Sequence, residues 1–254
     1  KYNANVNQAS EDKITKNGDK PSDNFRGGWL NDRFGATWGE NPFCIAISPT
    51  DPEICFTTDY GRTIKTTNGG ETWKQVYTKG NSVEGWTSRG LEVTTSYNVI
   101  FDPFDEKHAF IALTDIGLFE SKDGALSWAS ATKNNGVPAN WVNTCYWLIF
   151  DPEVKGKAWA VMSNKHDLPR PKMWRRNGLA GYNGGILLTE NGGESWQAVS
   201  SDIGEAAMTH IIIDPTSDKN ARTLYACAFG KGVYKSVDGG KTWVQKNKGI
   251  AGKE

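Results

Sequence analysis

Short apolar runs alternate with polar turn sequences through most of the chain, a pattern typical of β-strands joined by tight turns. In one set, each apolar run ends at Asp-Pro or Ser-Pro. Because proline after Asp or Ser stops a strand and begins a turn, each of these runs predicts a strand followed by a tight turn. The four runs are CIAISP, NVIFDP, WLIFDP and HIIIDP.

The same order of signals follows each run. A second short strand comes after the turn, a third leads into an eight-residue phrase that ends in tryptophan, and a fourth begins at that tryptophan. We call this phrase the clasp. Its four copies are TTNGGETW (66–73), SKDGALSW (121–128), TENGGESW (189–196) and SVDGGKTW (236–243).

Four strands repeated four times predict an all-β chain built of four-stranded antiparallel blades. A single meander of this kind cannot bury both of its faces, so the blades are expected to stack around an axis as a β-propeller. A polar segment at residues 1–36 is expected to precede or cap the first blade. Within residues 37–254, the blades are expected at about 37–77, 95–131, 145–199 and 209–246.

The residue types of the clasp suit a structural turn. Asp or Asn accepts hydrogen bonds from nearby backbone N–H groups, Gly supplies positive φ, and the Ser or Thr hydroxyl ties the turn to its strand. The tryptophan packs into the blade, where burying its surface contributes roughly 4–6 kcal/mol before entropy. We therefore expect the clasps to have a structural role and not to form part of a functional site.

The clasp resembles the S/T-x-D-G-G-x-T/S-W signature of the BNR or Asp-box repeat family of β-propellers. Residues 236–243 match it at every position. The resemblance covers roughly residues 37–246 and implies four-stranded blades. Four blades do not readily close a ring of the size usual in that family, so we expect a fragment of a larger propeller, or a propeller completed by another protein chain. The departures from the signature are Asn68, Asn191, Ala125 and Leu126.

The connections between strands divide between the two faces of such a propeller. With strands lettered A to D outward from the axis, the clasps are C–D turns, and the B–C and D–A connections lie on the opposite face. Those connections are long at 78–96, 132–144 and 165–183. Because long loops on a rigid scaffold commonly carry function, we expect the functional site on this face.

Tryptophans and cations are concentrated in these long connections. Indole faces beside hydrogen-bonding cations suit a sugar ring, whose C–H groups lie on the aromatic plane while its hydroxyls take polar partners. The alternative is that these tryptophans hold their loops against the blades. The predicted substrate-binding residues are Trp86, Trp141, Trp174, Arg89 and Arg175.

Two carboxylates follow the B strands of adjacent blades on the same face, Asp59 in FTTDYG and Asp115 in ALTDIG. The corresponding positions in the other blades are Asn164 and Gly230, so the repeat itself does not impose a carboxylate. Two neighbouring carboxylates suit acid–base work on a glycosidic bond. The alternative is that each aspartate accepts backbone N–H bonds in its turn.

Residues 96–128 also resemble the opening blade of glycoside hydrolase family 74 (GH74) xyloglucanases, in which a strand ending in T-D-[IV]-G carries a catalytic aspartate. This resemblance implies a catalytic role for Asp115. Asp59 lies in a similar sequence that matches the motif less well. Leu118 stands where the family has a second glycine. The family's partner carboxylate lies in a second propeller and has no counterpart in this sequence.

Composition and charge exclude several classes of function. Lys plus Arg equals Asp plus Glu at 29 each, so no basic field is available to attract nucleic acid. The histidines show no metal-ligand spacing and no nucleotide-binding motif is present, so neither a metal nor a cofactor is expected. No apolar run is long enough to span a bilayer. Cys44 and Cys55 flank one predicted hairpin, which leaves either a disulfide or buried thiols.

Two functions are consistent with this sequence. The first is an extracellular or periplasmic propeller that binds a polysaccharide and acts on it as a glycoside hydrolase. The second is a non-catalytic propeller that serves as a platform for protein interaction, adhesion or assembly. Residues 1–20 lack the apolar centre of a signal peptide, so we expect any export signal to have been removed already.

Overall fold

A computed structural model describes residues 29–30, 44–58, 62–80, 85–89, 95–168, 170 and 181–250 of the 254-residue chain. These residues adopt the predicted all-β fold, a β-propeller built of four-stranded antiparallel blades, two of which are joined into one eight-stranded sheet by a parallel pair of Gly117 with Thr144. In the described part of the chain, no helix is long and apolar enough to cross a membrane.

The strands of each blade follow one another in chain order from A to D. Blade 1 contains β1 (Cys44–Ile47), β2 (Cys55–Thr58), β3 (Thr63–Thr66) and β4 (Lys74–Gln75), and a hairpin of β5 (Thr78–Gly80) and β6 (Trp86–Ser88) follows it. Blade 2 contains β7 (Ser96–Asp102), β8 (Asp105–Leu113), β9 (Gly117–Ser121) and β10 (Ala129–Ser130). Blade 3 contains β11 (Thr144–Phe150), β12 (Ala158–Ser163), β13 (Gly184–Thr189) and β14 (Gln197–Ala198). Blade 4 contains β15 (Met208–Ile213), β16 (Leu224–Ala228), β17 (Gly232–Ser236) and β18 (Val244–Gln245). Short 3-10 turns occur at Ala139–Trp141 and Ser201–Ile203.

The chain divides into two compact units. The first consists of residues 1–93 with 126–129, and the second of residues 94–125 with 130–254. The first unit contains blade 1 and has a small core of its own. The buried members of that core are Leu30, Cys55, Ile64, Trp73 and Tyr77.

The four cysteines are free thiols. Cys44 is paired with Thr58 and Cys55 with Ile47, so the two cysteines lie at opposite ends of the β1–β2 hairpin. The disulfide alternative is therefore wrong. The alternative of buried thiols holds for Cys55 but is wrong for Cys44, which is exposed.

The second unit has two apolar cores, one between blades 2 and 3 and the other between blades 3 and 4. Strand β12 contributes to both because successive side chains of a strand point to opposite faces. Ala160 and Met162 belong to the core shared with blade 2, whereas Trp159 and Val161 belong to the core shared with blade 4. All six residues of β12 are consequently buried.

The clasps make the hydrogen bonds that their residue types predict. The hydroxyl that begins each clasp accepts a bond from the backbone N–H four residues later: Thr66 from Gly70 (3.0 Å), Ser121 from Ala125 (2.9 Å), Thr189 from Gly193 (2.9 Å) and Ser236 from Gly240 (2.8 Å). A side-chain oxygen also accepts a backbone N–H: Asn68 from Thr72 (3.0 Å), Asn191 from Ser195 (3.0 Å) and Asp238 from Thr242 (2.9 Å).

The tryptophans that end the clasps do not all have the same environment. Trp73, Trp196 and Trp243 are each 5% exposed. Trp128 is only half-buried, and its backbone N–H and C=O both pair with Trp86 at 2.8 Å. The expected packing into the blade therefore holds for three of the four tryptophans.

The second clasp places Ala125 in a backbone conformation that glycine prefers. Its φ is +67°, whereas the same position is glycine in the other clasps, with φ of +85° at Gly70, +94° at Gly193 and +93° at Gly240. A residue with a Cβ atom in this region costs about 1–2 kcal/mol relative to right-handed backbone.

We expect Ala125→Gly to raise the free energy of unfolding by about 0.5–1 kcal/mol, since relief of this strain outweighs the larger unfolded-state entropy of glycine. Urea unfolding followed by tryptophan fluorescence measures the change. The matched control is Gly193→Ala, which should be destabilising because a Cβ atom there would lie 2.5 Å from the Phe110 ring. A lower stability of Ala125→Gly than of the parent chain would contradict the prediction.

A buried ion pair joins the A–B turns of blades 3 and 4. The Arg222 guanidinium donates to both carboxylate oxygens of Asp151 at 2.8 and 2.7 Å, and both side chains are fully buried. Arg222 also donates to the Ser217 carbonyl and to Glu153, each at 2.6 Å. Burial opposes ionisation of Asp151, but the bonds from Arg222 and from backbone N–H groups outweigh it and lower the pKa of that carboxyl.

Arg222→Met should lower the free energy of unfolding by roughly 3–5 kcal/mol, because it leaves the Asp151 carboxylate buried without its counter-charge. The double variant Arg222→Met/Asp151→Asn should recover part of this loss, since the amide is neutral and its oxygen still accepts the turn N–H groups. Urea unfolding at pH 7 tests both variants. A double variant no more stable than Arg222→Met would show that lost packing, and not the uncompensated charge, causes the effect.

His108 forms a second buried polar cluster, in β8 of blade 2. Its Nδ1 lies 2.9 Å from Asp102 and its Nε2 lies 2.9 Å from Glu120, while the ring contacts Phe110 and Phe150 edge-on. Burial opposes charging of the imidazole, but the bonds to Glu120 and Asp102 outweigh it and raise the pKa of His108 above its ordinary value of 6.5.

Because the folded-state pKa of His108 is raised, the stability that the protonated ring contributes is complete below pH 6.5 and is lost as pH rises through the folded-state value. His108→Gln should therefore destabilise the protein most near pH 5.5–6, and the difference from the parent should shrink towards pH 9. Chemical unfolding of both proteins across this range measures it. A difference that is constant with pH would assign His108 a packing role without a charge contribution.

Candidate functional site

Asp115 occupies the tight B–C turn between β8 and β9, on the predicted face. The turn is closed by a hydrogen bond from the Ile116 N–H to the Thr114 carbonyl at 2.7 Å, and Asp115 has a φ of +65°. Blade 4 makes a turn of the same length between β16 and β17, with Gly230 at a φ of +73° in the position of Asp115. Asp115 therefore stands at a position whose geometry favours glycine.

The Asp115 carboxylate is exposed and lies beside a histidine. Its side chain is 53% exposed, and Oδ1 lies 3.7 Å from Nδ1 of His166. Among the described residues, no backbone N–H donates to this carboxylate. The turn therefore does not use the charge, which stays available to solvent and to His166.

His166 lies in the long connection between β12 and β13 and contacts a second carboxylate. Its Nδ1 is 3.4 Å from Oδ2 of Asp167, which in turn lies 3.5 Å from Nη1 of Arg170. Asp167 has a φ of +55°, and its carbonyl accepts the Arg170 N–H at 2.8 Å. One imidazole is thus placed between the carboxylates of two turns.

Tyr146 holds the segment that carries His166. Its hydroxyl donates to the Lys165 carbonyl at 2.9 Å and accepts the Leu168 N–H at 3.0 Å, so it closes the turn on both sides of His166. Burial raises the pKa of Tyr146 and keeps its phenol protonated, as the bond to Lys165 requires. The Tyr97 ring packs against it at a centroid distance of 5.0 Å.

Asn164 closes the base of the same connection. Its side chain donates to the Gly181 carbonyl at 3.0 Å and accepts the Asn183 N–H at 2.9 Å. Its own backbone N–H donates to the Asn183 carbonyl at 2.8 Å. Where blade 2 has an exposed carboxylate after its B strand, blade 3 has an amide that fixes the two ends of a long loop.

Trp141 packs against blade 3. Its ring lies over Gly185 of β13, so close that a Cβ atom on Gly185 would overlap it, and the ring is half-buried against the core between blades 2 and 3. This contact agrees with the alternative that the tryptophan holds its loop to the blade, while the exposed part of the ring remains a predicted sugar contact.

The other predicted residues are not all described. In the first unit, Trp86 is half-buried in β6, and Arg89 is exposed with its backbone N–H donating to the Tyr77 carbonyl at 2.9 Å. Asp59, Trp174 and Arg175 lie outside the described residues. In the part of the chain that is described, no group of three or more His, Cys, Asp or Glu side chains is arranged to hold a metal ion.

Comparison with known proteins found similarities at low identity. No protein-family model matches the chain. An oligoxyloglucan-reducing end-specific xyloglucanase from Emericella nidulans is 31% identical over 98 residues, which are 39% of this chain and 10% of that protein. Two solved structures are similar over 82% of this chain: an ancestral GH74 enzyme (25% identity, TM-score 0.44) and the GH74 enzyme of Niastella koreensis (14% identity, TM-score 0.45).

The chain spans only part of each of these proteins. It covers a tenth of the length of the curated xyloglucanase, 24% of the ancestral enzyme and 38% of the Niastella koreensis enzyme. The chain is therefore similar, at low identity, to GH74 xyloglucanase propellers.

Proposed function

We propose that this chain is an Asp-box β-propeller that binds a polysaccharide on the face of its B–C turns and takes part in glycosidic bond hydrolysis, with Asp115 as a catalytic acid or base. The protein acts outside the cytoplasm, in the extracellular space or the periplasm. Xyloglucan is the first substrate to test, since the sequence similarity is to a xyloglucanase.

The environment of Asp115 is the observation that carries this proposal. The carboxylate is exposed, receives no backbone bond from a described residue, and sits at a left-handed position where blade 4 has glycine. Strained non-glycine residues concentrate at functional sites because the surrounding structure holds them in place for a purpose other than stability. A carboxylate held in this way is able to approach a ligand.

Hydrolysis of a glycosidic bond uses two carboxyl groups, one of which protonates the leaving oxygen. Asp115 supplies one group in this proposal, and Asp59 remains the proposed second. The imidazole of His166 lies beside this group, with its Nδ1 3.7 Å from Oδ1 of Asp115. Trp86, Trp141, Trp174, Arg89 and Arg175 remain the proposed sugar-binding residues.

The alternative is a non-catalytic platform for protein interaction or assembly. The contact of Trp141 with Gly185 favours it, because a ring that packs on its own blade has less surface for a sugar. Both functions use the same fold and the same face. They differ in whether the Asp115 carboxylate is required.

Asp115→Asn should reduce reducing-sugar release from xyloglucan by about 100-fold or more while leaving binding within a few-fold, because the amide keeps the shape and the turn but cannot exchange a proton. The measurement is a reducing-end assay over a panel of plant polysaccharides, with affinity electrophoresis for binding. The matched control is Glu190→Gln, an exposed carboxylate in the third clasp, which should leave both unchanged.

Equal hydrolysis by the parent and by Asp115→Asn would remove Asp115 from the mechanism. Polysaccharide binding without hydrolysis in the parent would leave a carbohydrate-binding propeller. Absence of both binding and hydrolysis over the panel would favour the platform.

A further inference from the structure

The A strand of each blade in the second unit contains a β-bulge near the end that faces the B–C turns. The register shifts by one residue at Tyr97 in β7, at Tyr146 in β11 and at Thr209 in β15. Bulges aim a side chain in a new direction and are common beside functional sites. The same backbone feature therefore presents a residue with a hydroxyl group in blades 2, 3 and 4.

In the part of the chain that is described, the bulge hydroxyl holds a loop in blade 3 alone. Tyr146 makes two hydrogen bonds to the B–C connection of its blade, at 2.9 and 3.0 Å. Thr209 instead bonds the Cys227 carbonyl of its own blade at 3.5 Å, and the buried Tyr97 hydroxyl has no hydrogen-bond partner among the described residues. The B–C connection is a tight turn in blades 2 and 4 and a long loop in blade 3, which explains the difference.

The two bonds from Tyr146 lie on either side of His166. The hydroxyl donates to the carbonyl of Lys165 and accepts the N–H of Leu168. At the start of the same loop, the Asn164 side chain bonds the backbone at the loop's other end, at 3.0 and 2.9 Å. The backbone that carries the imidazole is therefore fixed on both sides, as a preorganised binding group requires.

The His166 ring leaves one of its nitrogens open. Nδ1 lies 3.7 Å from Asp115 and 3.4 Å from Asp167, whereas no described residue bonds Nε2. In a neutral imidazole one nitrogen donates and the other accepts, and carboxylates beside Nδ1 favour the proton at that nitrogen. Nε2 is then a hydrogen-bond acceptor on a side chain that is 39% exposed.

The two carboxylates beside the ring differ in exposure. Asp167 is 19% exposed and lies 3.5 Å from the Arg170 guanidinium, so its charge is balanced within the loop. Asp115 is 53% exposed. The Asp115 carboxylate and Nε2 of His166 are therefore two open acceptors near each other on the face of the B–C turns. Adjacent hydroxyl groups of a sugar can donate to two acceptors placed in this way.

We propose that His166 is a polysaccharide-binding residue whose Nε2 accepts a sugar hydroxyl next to Asp115, and that Tyr146 is the positioning residue that holds it there. This inference rests on the proposed function, since it places the same ligand on the same face. A loop that is held before the ligand arrives costs less ordering entropy on binding. Tyr146 therefore contributes to affinity without touching the sugar.

Binding to xyloglucan, measured by affinity electrophoresis, tests the role of His166. His166→Ala should weaken binding by about 3- to 10-fold, the usual effect of one lost hydrogen bond. His166→Gln should bind within about twofold of the parent, because the glutamine side chain can place an acceptor oxygen near the position of Nε2. The two variants together separate loss of the acceptor from loss of the ring.

The same assay tests Tyr146. Tyr146→Phe removes only the hydroxyl and should weaken binding by about 2- to 5-fold. Because Tyr146 acts through His166, the double variant Tyr146→Phe/His166→Ala should bind no more weakly than His166→Ala. The matched control is Tyr97→Phe, which should bind as the parent does. It keeps the ring that packs against Tyr146 at 5.0 Å and removes a hydroxyl that no described residue bonds.

A second measurement needs no ligand. Diethyl pyrocarbonate modifies accessible imidazoles, and peptide mass spectrometry assigns the reaction to His108, His166 or His210. Tyr146→Phe should raise the rate at His166 by about threefold or more, because the loop opens more often. The rate at His210 should not change, and the buried His108 should stay slow in every variant. Xyloglucan should protect His166 in the parent.

Each part of the inference has an outcome that overturns it. Equal binding by the parent and by His166→Ala would remove His166 from the site and leave the proposed function standing. A double variant weakened by the product of the two single effects would make Tyr146 a general stabiliser and not a positioning residue, and so would an unchanged rate at His166 in Tyr146→Phe.

Failure of the proposed function has a different signature. If the parent binds no polysaccharide of the panel, the proposed function fails and the ligand assigned to His166 fails with it. The modification rates of the parent, Tyr146→Phe and Tyr97→Phe then still decide whether Tyr146 holds His166 in place.

Discussion

The blades depend on a turn in which two successive residues adopt left-handed backbone while a buried hydroxyl bonds the second of them. In the third clasp, Thr189 accepts the N–H of Gly193, and φ is +73° at Gly192 and +94° at Gly193. This conformation brings bare backbone to the surface of the turn. The backbone then seats on Phe110 of the preceding blade, so the same glycines serve both the local turn and the packing between blades.

The two ends of the second unit differ in how their charged side chains are used. Near the clasps, charged groups are buried and mutually satisfied, as in the pair of Asp151 with Arg222 and the bonds of His108 to Asp102 and Glu120. Such groups hold turns in place and are not free to act on a ligand. The B–C turns carry the opposite arrangement, with Asp115 and His166 partly exposed.

Much of this organisation could be predicted because it is local in sequence. The strands, the Asp-Pro turns and the clasp hydrogen bonds all arise within a few residues, and so does the equivalence of Asp115 with Gly230. The alternative of a Cys44–Cys55 disulfide was wrong because the register of β1 with β2 places the two cysteines at opposite ends of the hairpin. Trp128 is less buried than the other clasp tryptophans, and its backbone pairs with that of Trp86. The repeat pattern gives no signal for this pairing.

The surroundings of Asp115 were harder to predict because their contacts join distant parts of the chain. Tyr146 bonds residues 165 and 168, which are 19 and 22 residues away in sequence and lie on either side of His166. The one available signal was the place of His166 in a long connection. Its place in a loop on the face of the B–C turns was visible in the sequence, but its partner was not.

The aspartate at position 115 is the residue that turn geometry explains least. Blade 4 builds an equivalent turn with Gly230, which meets the positive φ without strain, so a carboxylate is not needed to form it. Asp is tolerated in this region better than most residues, which limits the strain but supplies no gain. Since the described backbone does not bond the Asp115 carboxylate, stability of the turn does not account for the residue. What remains is the exposure of the carboxylate and its place beside His166, from which it can contact a ligand.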